Sequence, residues 1–171
     1  IVGAGTNAAI LHAIPTSRVV KEGDLVLIDA GGDLYDYCVD ITRVFAASGT
    51  FNERQKFIYD LVKEAQTESI KLCRPGVEWH DVHLASAKVM ARGLKDIGVL
   101  NISPEAALES GAIGCFFPHG VGHMVGLRVR DVGGRPNPNP KKYAGARIRV
   151  DMKMNEGYLM TVEPGLYFIP A

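Results

Sequence analysis

The spacing of apolar residues changes twice along the chain and divides it into three regions. Residues 1–50 are rich in β-branched residues and glycine, and the run Leu25–Ala30 is apolar enough for a buried strand. Turn-forming residues at 31–33 and Asp36 follow this run and lead into the stretch 37–46. The first region is therefore predicted to contain a β-hairpin.

The second region shows the three- and four-residue spacing of helices. Apolar residues recur at that spacing over 52–72, from Phe57 to Ile70, and the run ends at 74–76, which is Arg-Pro-Gly. The same spacing predicts a second helix over 78–97. A short third helix is predicted over 103–110, with a serine in the capping position and a proline in the first turn.

The third region returns to residues that favour strands and loops. Residues 116–126 contain too many glycines for a helix, and 135–145 is a polar loop with three prolines. The last predicted strand covers 158–163 and continues past a Pro-Gly pair to Ile169. The order of strands, helices and strands is typical of an α+β fold, with helices covering one face of a mostly antiparallel sheet.

The composition excludes several classes of protein. The 171 residues contain 19 Lys and Arg against 19 Asp and Glu, so the formal net charge is zero. A uniformly basic nucleic-acid binder or a polybasic membrane-surface protein would carry a positive surplus. Hydrophobic residues make up 47% and charged residues 22%, as in an ordinary globular domain. We therefore expect no nucleic-acid partner and no association with a membrane.

The cysteines and the chain ends add two expectations. Cys38, Cys73 and Cys115 are far apart and odd in number, which argues against a disulfide framework or a zinc knuckle and favours the cytoplasm. Both ends of the sequence fall beside apolar, strand-like runs. We therefore expect residues 1–171 to form one domain whose two ends are cut short.

Two aspartates on the predicted hairpin are the first candidates for chemistry. A turn centred between Leu34 and Tyr35 would place Asp29 directly opposite Asp40, on one face of the sheet. Two like charges there are destabilising, and a buried carboxylate is costly unless a cation neutralises it. One divalent cation or two is the simplest compensation. The alternative is that the pairing differs by one residue and one aspartate faces solvent.

Three further residues could complete a metal site. His119 and His123 lie among glycines that allow the backbone to approach closely, and imidazole suits manganese, cobalt, iron and zinc. Glu163 precedes a proline, which favours an extended conformation and so fixes its carboxylate at a strand end. Each residue also has a simpler explanation: the histidines as ordinary hydrogen-bonded or surface residues, and Glu163 as a solvent-facing strand end.

Five separated motifs give the sequence a specific resemblance. It resembles the aminopeptidase P and prolidase group of pita-bread metallopeptidases, in order and over nearly all residues. The motifs are Ile1-Val2-Gly3-Ala4-Gly5-Thr6-Asn7 with Ile10-Leu11-His12, Gly23-Asp24-Leu25-Val26-Leu27-Ile28-Asp29-Ala30-Gly31, Asp40-Ile41-Thr42-Arg43, Phe117-Pro118-His119-Gly120-Val121-Gly122-His123, and Thr161-Val162-Glu163-Pro164-Gly165-Leu166-Tyr167-Phe168. The resemblance implies a pseudo-symmetric α+β domain with a curved antiparallel sheet. It further implies that residues 1–171 are an incomplete metallopeptidase catalytic domain, without the amino-terminal domain of the group and without the last strands.

The resemblance also implies a dinuclear metal centre. It assigns Asp29, Asp40, His123 and Glu163 as ligands of two divalent ions, with manganese expected and cobalt or zinc as alternatives. The bridging ligand would be Asp40. The family's fifth ligand is a second glutamate in a later strand, and it has no counterpart before Ala171.

Other positions are implied to contact the substrate or to take part in the reaction. The resemblance places His12 beside the substrate and His119 in the wall of the site, and it assigns His119 and Glu163 to the catalytic group. Arg130 stands where the family usually has histidine, and it is expected to be both catalytic and substrate-binding. An arginine cannot act as a base, but it can donate to a substrate carbonyl or a developing oxyanion. Arg149 is the candidate for the carboxylate of a dipeptide. The alternative for both arginines is a solvent-facing side chain.

The implied reaction is hydrolysis of the bond before a proline, in a dipeptide or at the amino terminus of a longer peptide. Two cations can lower the pKa of a water molecule and polarise the scissile carbonyl, while Glu163 carries the proton. The expected partner is a peptide with proline in second position, and a homodimer is expected for the full-length protein. Two alternatives stay open: a pita-bread binding module without catalysis, and a creatinase-like C–N hydrolase.

Overall fold

The computed structural model describes residues 1–133 and 141–169. Most of the predicted proline-containing loop, residues 135–140, lies outside these ranges. Eight helices and strands are numbered here in chain order, and two short 3₁₀ helices lie between them. They are β1 (Val2–Ala4), a 3₁₀ helix (Gly5–Ala9), β2 (Leu25–Leu34), β3 (Tyr37–Ala46), α1 (Glu53–Leu72), α2 (Trp79–Asp96), α3 (Pro104–Glu109), a 3₁₀ helix (Ala112–Cys115), β4 (Lys142–Tyr143) and β5 (Ala146–Arg147).

The predicted hairpin is present as β2 and β3, and β1 joins it to make a three-stranded antiparallel sheet in the order β1-β2-β3. The predicted register was wrong. Asp29 pairs with Thr42, and Asp40 pairs with Gly31. The turn consists of Tyr35 and Asp36, with positive φ angles of 52° and 64°, so its centre lies one position later than the sequence suggested.

This error in register does not separate the two aspartates. The pairing differs from the prediction by two residues, and a strand has a period of two. Asp29 and Asp40 are therefore diagonal neighbours on the same face rather than directly opposed residues.

The predicted helices are confirmed, and side-chain caps explain where α1 and α3 begin. Asn52 accepts a hydrogen bond from the amide of Gln55, and the Gln55 side chain accepts one from the Asn52 amide, which makes a capping box. Ser103 caps α3 by accepting from the amide of Ala106. Within the described residues, no helix combines the length and the apolar character needed to cross a membrane.

Two residues of the predicted apolar stripe on α1, Phe57 and Ile70, are exposed. Ser69, next to Ile70, is fully buried instead. Ser69 lies between the two long helices, where its hydroxyl is 2.5 Å from that of Ser86 and donates to the carbonyl of Val82. A buried serine is stable there because its hydroxyl is hydrogen-bonded within the helix pair.

The hydrophobic core lies between α1, α2, α3 and the chain from 113 to 166. The largest fully buried apolar side chains share this space, and they are Trp79, Phe117, Met90, Leu94 and Ile113. Within the described ranges, the core cluster contains no residue of β1–β3. The helices are therefore held mainly by the third region of the chain.

The third region contributes two extended segments, 121–125 and 159–163, which run side by side. Three backbone hydrogen bonds join them, at 2.7 to 3.0 Å, from Val125 to Leu159, from Thr161 to His123 and from Glu163 to Val121. The predicted strand from 158 to Ile169 is not continuous, because within the described residues Met124 and Met160 form the one β-bridge between these two segments. Beyond Pro164 the chain pairs again at one point, where the amide of Tyr167 donates to the carbonyl of Phe116 at 2.8 Å.

A fully buried histidine lies in α2 beneath the β4–β5 hairpin. The Nε2 atom of His83 is 3.2 Å from the carbonyl of Tyr143, and its ring stacks on Phe117 with centroids 4.9 Å apart. Burial lowers the pKa of His83 to about 4, and the nearby His119 lowers it further, while the Tyr143 carbonyl opposes the shift. The core therefore holds His83 neutral.

Acidification should destabilise the protein through His83. The unfolded chain binds the proton more tightly than the folded chain does, so the stabilisation is complete above pH 6.5 and is lost as the pH falls toward 4. The shift corresponds to about 3 kcal/mol of unfolding free energy. Urea unfolding at pH 7 and pH 4 should show a loss that is smaller by this amount in His83→Gln than in the parent. An equal loss in both proteins would contradict this assignment.

Candidate metal centre

Three predicted ligands from separate parts of the chain meet at one imidazole. The Nε2 atom of His123 lies 3.3 Å from Oδ2 of Asp40 and 3.3 Å from Oε1 of Glu163. The fourth predicted ligand, Asp29, lies beside Asp40 on the neighbouring strand and within hydrogen-bonding reach of it. The structure thus brings together all four residues that the resemblance assigned as ligands.

The orientation of His123 is fixed by its other ring nitrogen. Nδ1 lies 2.9 Å from the carbonyl oxygen of Met124, and a carbonyl can only accept, so Nδ1 carries the hydrogen and donates it. In the neutral ring, Nε2 then presents a lone pair toward Asp40 and Glu163. This atom is buried and has no hydrogen-bond partner among the described residues. A metal-binding histidine typically has this arrangement, in which a carbonyl selects the tautomer.

The carboxylates around His123 are crowded and partly withdrawn from water. The exposed fraction of the side chain is 12% for Asp40 and 31% for Glu163. The pKa of Asp40 is raised, first by burial, then by the adjacent carboxyl of Asp29 and by the charge of Glu163, while His123 opposes the shift. The surplus of negative charge is what a cation would compensate.

The donor atoms fit a divalent ion in type and in spacing. Two ligand atoms about 2.1 Å from one ion and about 100° apart are about 3.2 Å from each other, close to the distances at His123. Imidazole and carboxylate together suit manganese, cobalt and zinc. Among the described residues, however, no group of three or more His, Cys, Asp and Glu side chains is placed closely enough to hold a metal ion without a shift of side chains.

A residue that the sequence reasoning missed connects two of the ligands. The hydroxyl of Thr161 accepts a hydrogen bond from the His123 amide at 3.0 Å and donates one to Oε1 of Glu163 at 3.1 Å. Its position could have indicated this role, because side chains two residues apart on a strand share a face. Thr161 therefore fixes the Glu163 carboxylate relative to His123.

The predicted close approach of the backbone occurs at Gly122. A Cβ atom there would overlap the carbonyl oxygen and the hydroxyl of Thr161. Only glycine lets the segments 121–125 and 159–163 come near enough for the Thr161 contacts. The geometry of the site therefore depends on a glycine at position 122, next to His123.

The second predicted histidine lies beside the ligands rather than among them. Nδ1 of His119 donates to the carbonyl of Gly120 at 2.8 Å, so Nε2 accepts from the hydroxyl of Tyr167 at 3.0 Å. Burial lowers the pKa of His119, and the charge of Arg130 lowers it further. Burial also raises the pKa of Tyr167 to about 12, with the charges of Glu163 and Asp29 adding to the shift. Both groups are therefore neutral.

The predicted substrate residues occupy exposed positions. The Nη2 atom of Arg130 donates to Nε2 of His12 at 3.1 Å, which joins two exposed residues that are 118 positions apart. Arg149 is also exposed and directly follows Ile148, which would contact a Cβ atom added at Gly120. The structure brings His12 and Arg130 together. Arg149 is not part of this pair and lies on the segment that packs against Gly120.

Comparison with known proteins gives matches over the whole sequence. The family model described as metallopeptidase family M24 matches residues 1–171. The chain is 39% identical over 174 residues to "Probable Xaa-Pro aminopeptidase pepP" of Talaromyces marneffei, and 40% identical over 168 residues to the protein of the same name from Botryotinia fuckeliana. Each match covers 98% of this chain and 37% of the relative, so the chain spans little more than a third of the length of these relatives.

Comparison with solved structures gives the same family as the sequence matches do. Aminopeptidase PepP of Pseudomonas aeruginosa is 38% identical with a TM-score of 0.87, and the match covers 99% of this chain and 36% of that one. A variant of Escherichia coli aminopeptidase P in complex with substrate is 37% identical with a TM-score of 0.88 and the same coverage. These matches confirm the predicted α+β pita-bread fold and the resemblance stated from the motifs.

Substitution of Gly122 should destabilise the protein more than substitution of a glycine with free space around it. Gly122→Ala forces the backbone of Thr161 away, and overpacking of this kind costs about 1–3 kcal/mol. Gly32→Ala is the matched control, because a Cβ atom at Gly32 would have no atom within 4 Å. Urea unfolding of both variants measures the difference. Equal stability of the two variants would contradict the close approach described here.

Proposed function

Since the chain belongs to metallopeptidase family M24, we propose that it holds two divalent metal ions and hydrolyses the peptide bond before a proline. The substrates are peptides with proline in second position, or Xaa-Pro dipeptides. Manganese is the proposed ion, with cobalt or zinc as alternatives. The proposed ligands are Asp29, Asp40, His123 and Glu163.

One observation carries this proposal. Nδ1 of His123 donates to the Met124 carbonyl, and its buried Nε2 atom faces the carboxylates of Asp40 and Glu163 at 3.3 Å. When the ring is neutral, Nε2 and the carboxylate oxygens are all acceptors that repel each other, and a bound cation turns this repulsion into attraction. A binding module without a metal would gain nothing from such an arrangement.

The metal ions and Glu163 have different parts in the proposed reaction. Divalent cations, when bound, lower the pKa of water and polarise the carbonyl of the scissile bond. Glu163 is the residue that moves the proton, because its carboxylate is more exposed than that of Asp40 and is held in place by Thr161.

His119 and Arg130 have different roles in this proposal. Both ring nitrogens of His119 are engaged, by Gly120 and Tyr167, so His119 shapes the wall of the site and does not take a proton in this arrangement. Arg130 stays protonated and uses one of its five N–H groups on His12, so the others can bind a substrate carbonyl or its developing oxyanion. His12 orients Arg130 and lies beside the bound peptide.

The choice of substrate rests on the relatives and on the chemistry of proline. The relatives are named Xaa-Pro aminopeptidases, and the Escherichia coli structure contains its substrate. The amide before proline is tertiary and has no N–H, so a peptidase that recognises that N–H cannot bind it productively. A shaped site with metal ions instead acts on the carbonyl oxygen.

The proposed setting is the cytoplasm, with the full-length protein a homodimer that binds neither nucleic acid nor membrane. The compartment is supported by the three cysteines, Cys38, Cys73 and Cys115, all of which are free thiols. The zero formal net charge supports the absence of a nucleic-acid partner.

Removal of the bridging carboxylate should reduce the metal content. Elemental analysis of the full-length protein should find about two divalent ions per chain in the parent and fewer in Asp40→Asn, because the amide has one neutral oxygen donor in place of an anionic carboxylate. Hydrolysis of an Xaa-Pro peptide should fall by at least about a hundredfold in the variant.

Asp33→Asn is the control, since Asp33 lies on the same hairpin outside the ligand group and should keep the parent's metal content and activity. Full metal occupancy in Asp40→Asn would remove Asp40 from the ligand set. The proposed substrate class would be overturned if the protein bound metal and hydrolysed no Xaa-Pro peptide, but did hydrolyse a C–N bond in a small non-peptide molecule such as creatine.

Arg149 provides a test of the choice between dipeptides and longer peptides. A guanidinium pairs with a carboxylate through two parallel hydrogen bonds, which contribute about 1.5–3 kcal/mol. Arg149→Met should therefore lower kcat/KM on an Xaa-Pro dipeptide by about tenfold to a hundredfold and leave a tripeptide with proline second nearly unchanged. An equal loss on both substrates, or none on either, would remove Arg149 from substrate recognition and favour an aminopeptidase.

A further inference from the structure

The peptide group that precedes Glu163 is held at both of its ends. Its amide, which belongs to Glu163, donates to the carbonyl of Val121 at 2.7 Å. Its carbonyl, which belongs to Val162, accepts a hydrogen bond from Nε2 of Gln66 at 2.7 Å. The next residue is Pro164, which has no amide hydrogen with which to form a further contact on the same strand.

Gln66 reaches this peptide from a different part of the fold. It lies on α1, 96 residues before Val162 in sequence, and its side chain is partly buried. On either side of it, the buried residues Ala65 and Ser69 attach α1 to α2. The Gln66 amide therefore connects the packed helix pair to the backbone of the segment that carries Glu163.

We propose that Gln66 is a positioning residue for the metal centre: by holding the Val162–Glu163 peptide, it sets the direction in which the Glu163 carboxylate leaves the backbone. This inference deepens the proposed function and rests on the ligand role of Glu163. The plane of a peptide group sets the dihedral angles on both sides of it, so a rotation of the Val162 carbonyl moves the Glu163 Cα–Cβ bond. Thr161 then fixes only the end of a side chain whose origin is already set.

Loss of the Gln66 contact should weaken metal binding without unfolding the protein. Removal of a group that orients a metal ligand typically costs about 10–100-fold in metal affinity. Gln66→Met keeps the length and flexibility of the side chain and removes only the hydrogen-bond donor. The expected result is a Co²⁺ affinity about 10–100-fold below that of the parent.

The same helix offers a matched control. Gln55 also donates its Nε2 to a backbone carbonyl, that of Gly23 at 2.9 Å, and Gly23 precedes β2 in a turn outside the ligand group. Gln55 is part of the capping box as well, so Gln55→Met should cost at least as much stability as Gln66→Met. It should nevertheless leave the Co²⁺ affinity within about threefold of the parent, because no ligand depends on it.

The experiment is a titration of metal-free full-length protein with Co²⁺ alone, followed by visible absorption, with urea unfolding of each protein in the presence of a chelator. A weaker affinity and an altered cobalt spectrum in Gln66→Met, with neither change in Gln55→Met, would support the inference. Similar titrations for the two variants would overturn it. If the parent protein bound no Co²⁺, the proposed function would fail instead, and the two failures are thereby distinguished.

A second variant covers the case in which Gln66→Met does not fold. Gln66→Asn keeps the amide but is one methylene shorter, so its nitrogen falls about 1.5 Å short of the Val162 carbonyl. It should reproduce the loss of Co²⁺ affinity. Parent-like affinity in Gln66→Asn would overturn the positioning role.

Discussion

The crowding of carboxylates around one imidazole is the constraint on which the candidate site depends. Asp40 and Glu163 each lie 3.3 Å from the Nε2 atom of His123 in a partly buried space, with Asp29 beside Asp40, and their charges are poorly screened there by water. Left to themselves, these side chains would turn away from each other. Each is instead held by an element that packs for other reasons, and the surplus of negative charge at their centre is available for cations.

The hydrophobic helices provide the rigid part of this arrangement. Within the described ranges, the core formed by the helices contains no residue of the three-stranded sheet β1–β3 and includes residues between 113 and 166. His123 and Glu163 lie in that part of the chain, so they are attached to the core directly. Asp29 and Asp40 lie on the β2–β3 hairpin. The backbone amide of Cys38 on this hairpin donates a hydrogen bond to the carbonyl of Gly126 at 2.8 Å, which connects the hairpin to the third region of the chain. The site therefore lies where a rigid body meets a sheet.

The sequence predicted the helices better than it predicted the details of the sheet. Helix boundaries depend on local signals, and the capping box at Asn52 and Gln55 lies within four residues of sequence. The register of β2 and β3 depends on which residues form the turn, and Tyr35 adopts a positive φ angle that a tyrosine does not favour, next to Asp36, whose residue type tolerates one. The length of the last strand was overestimated, because its pairing is interrupted between Glu163 and Tyr167. The two predicted aspartates still lie on one face of the sheet, because an error of two residues keeps a side chain on its face.

The supporting contacts were beyond sequence reasoning for a different reason. The Met124 carbonyl that orients His123 is a backbone group, and every residue has one. Gln66 is a polar residue among many on α1, and only the folded chain shows that it meets Val162. Such contacts depend on distances between elements and not on residue type, so no pattern along the chain indicates them.

The long separation between the partners of the site also has a consequence for the order of folding. The pair α1 and α2 is local, since Ser69 and Ser86 are 17 residues apart, whereas Gln66 and Val162 are separated by 96. Contacts between distant parts of a chain require closure of a long loop, whose entropy must be lost before they form. We therefore expect the pair of helices to assemble first, with Gln66 already on its surface, and the segment that carries Glu163 to dock against it late in folding. On this order, the candidate metal centre is completed only after the helical core has formed.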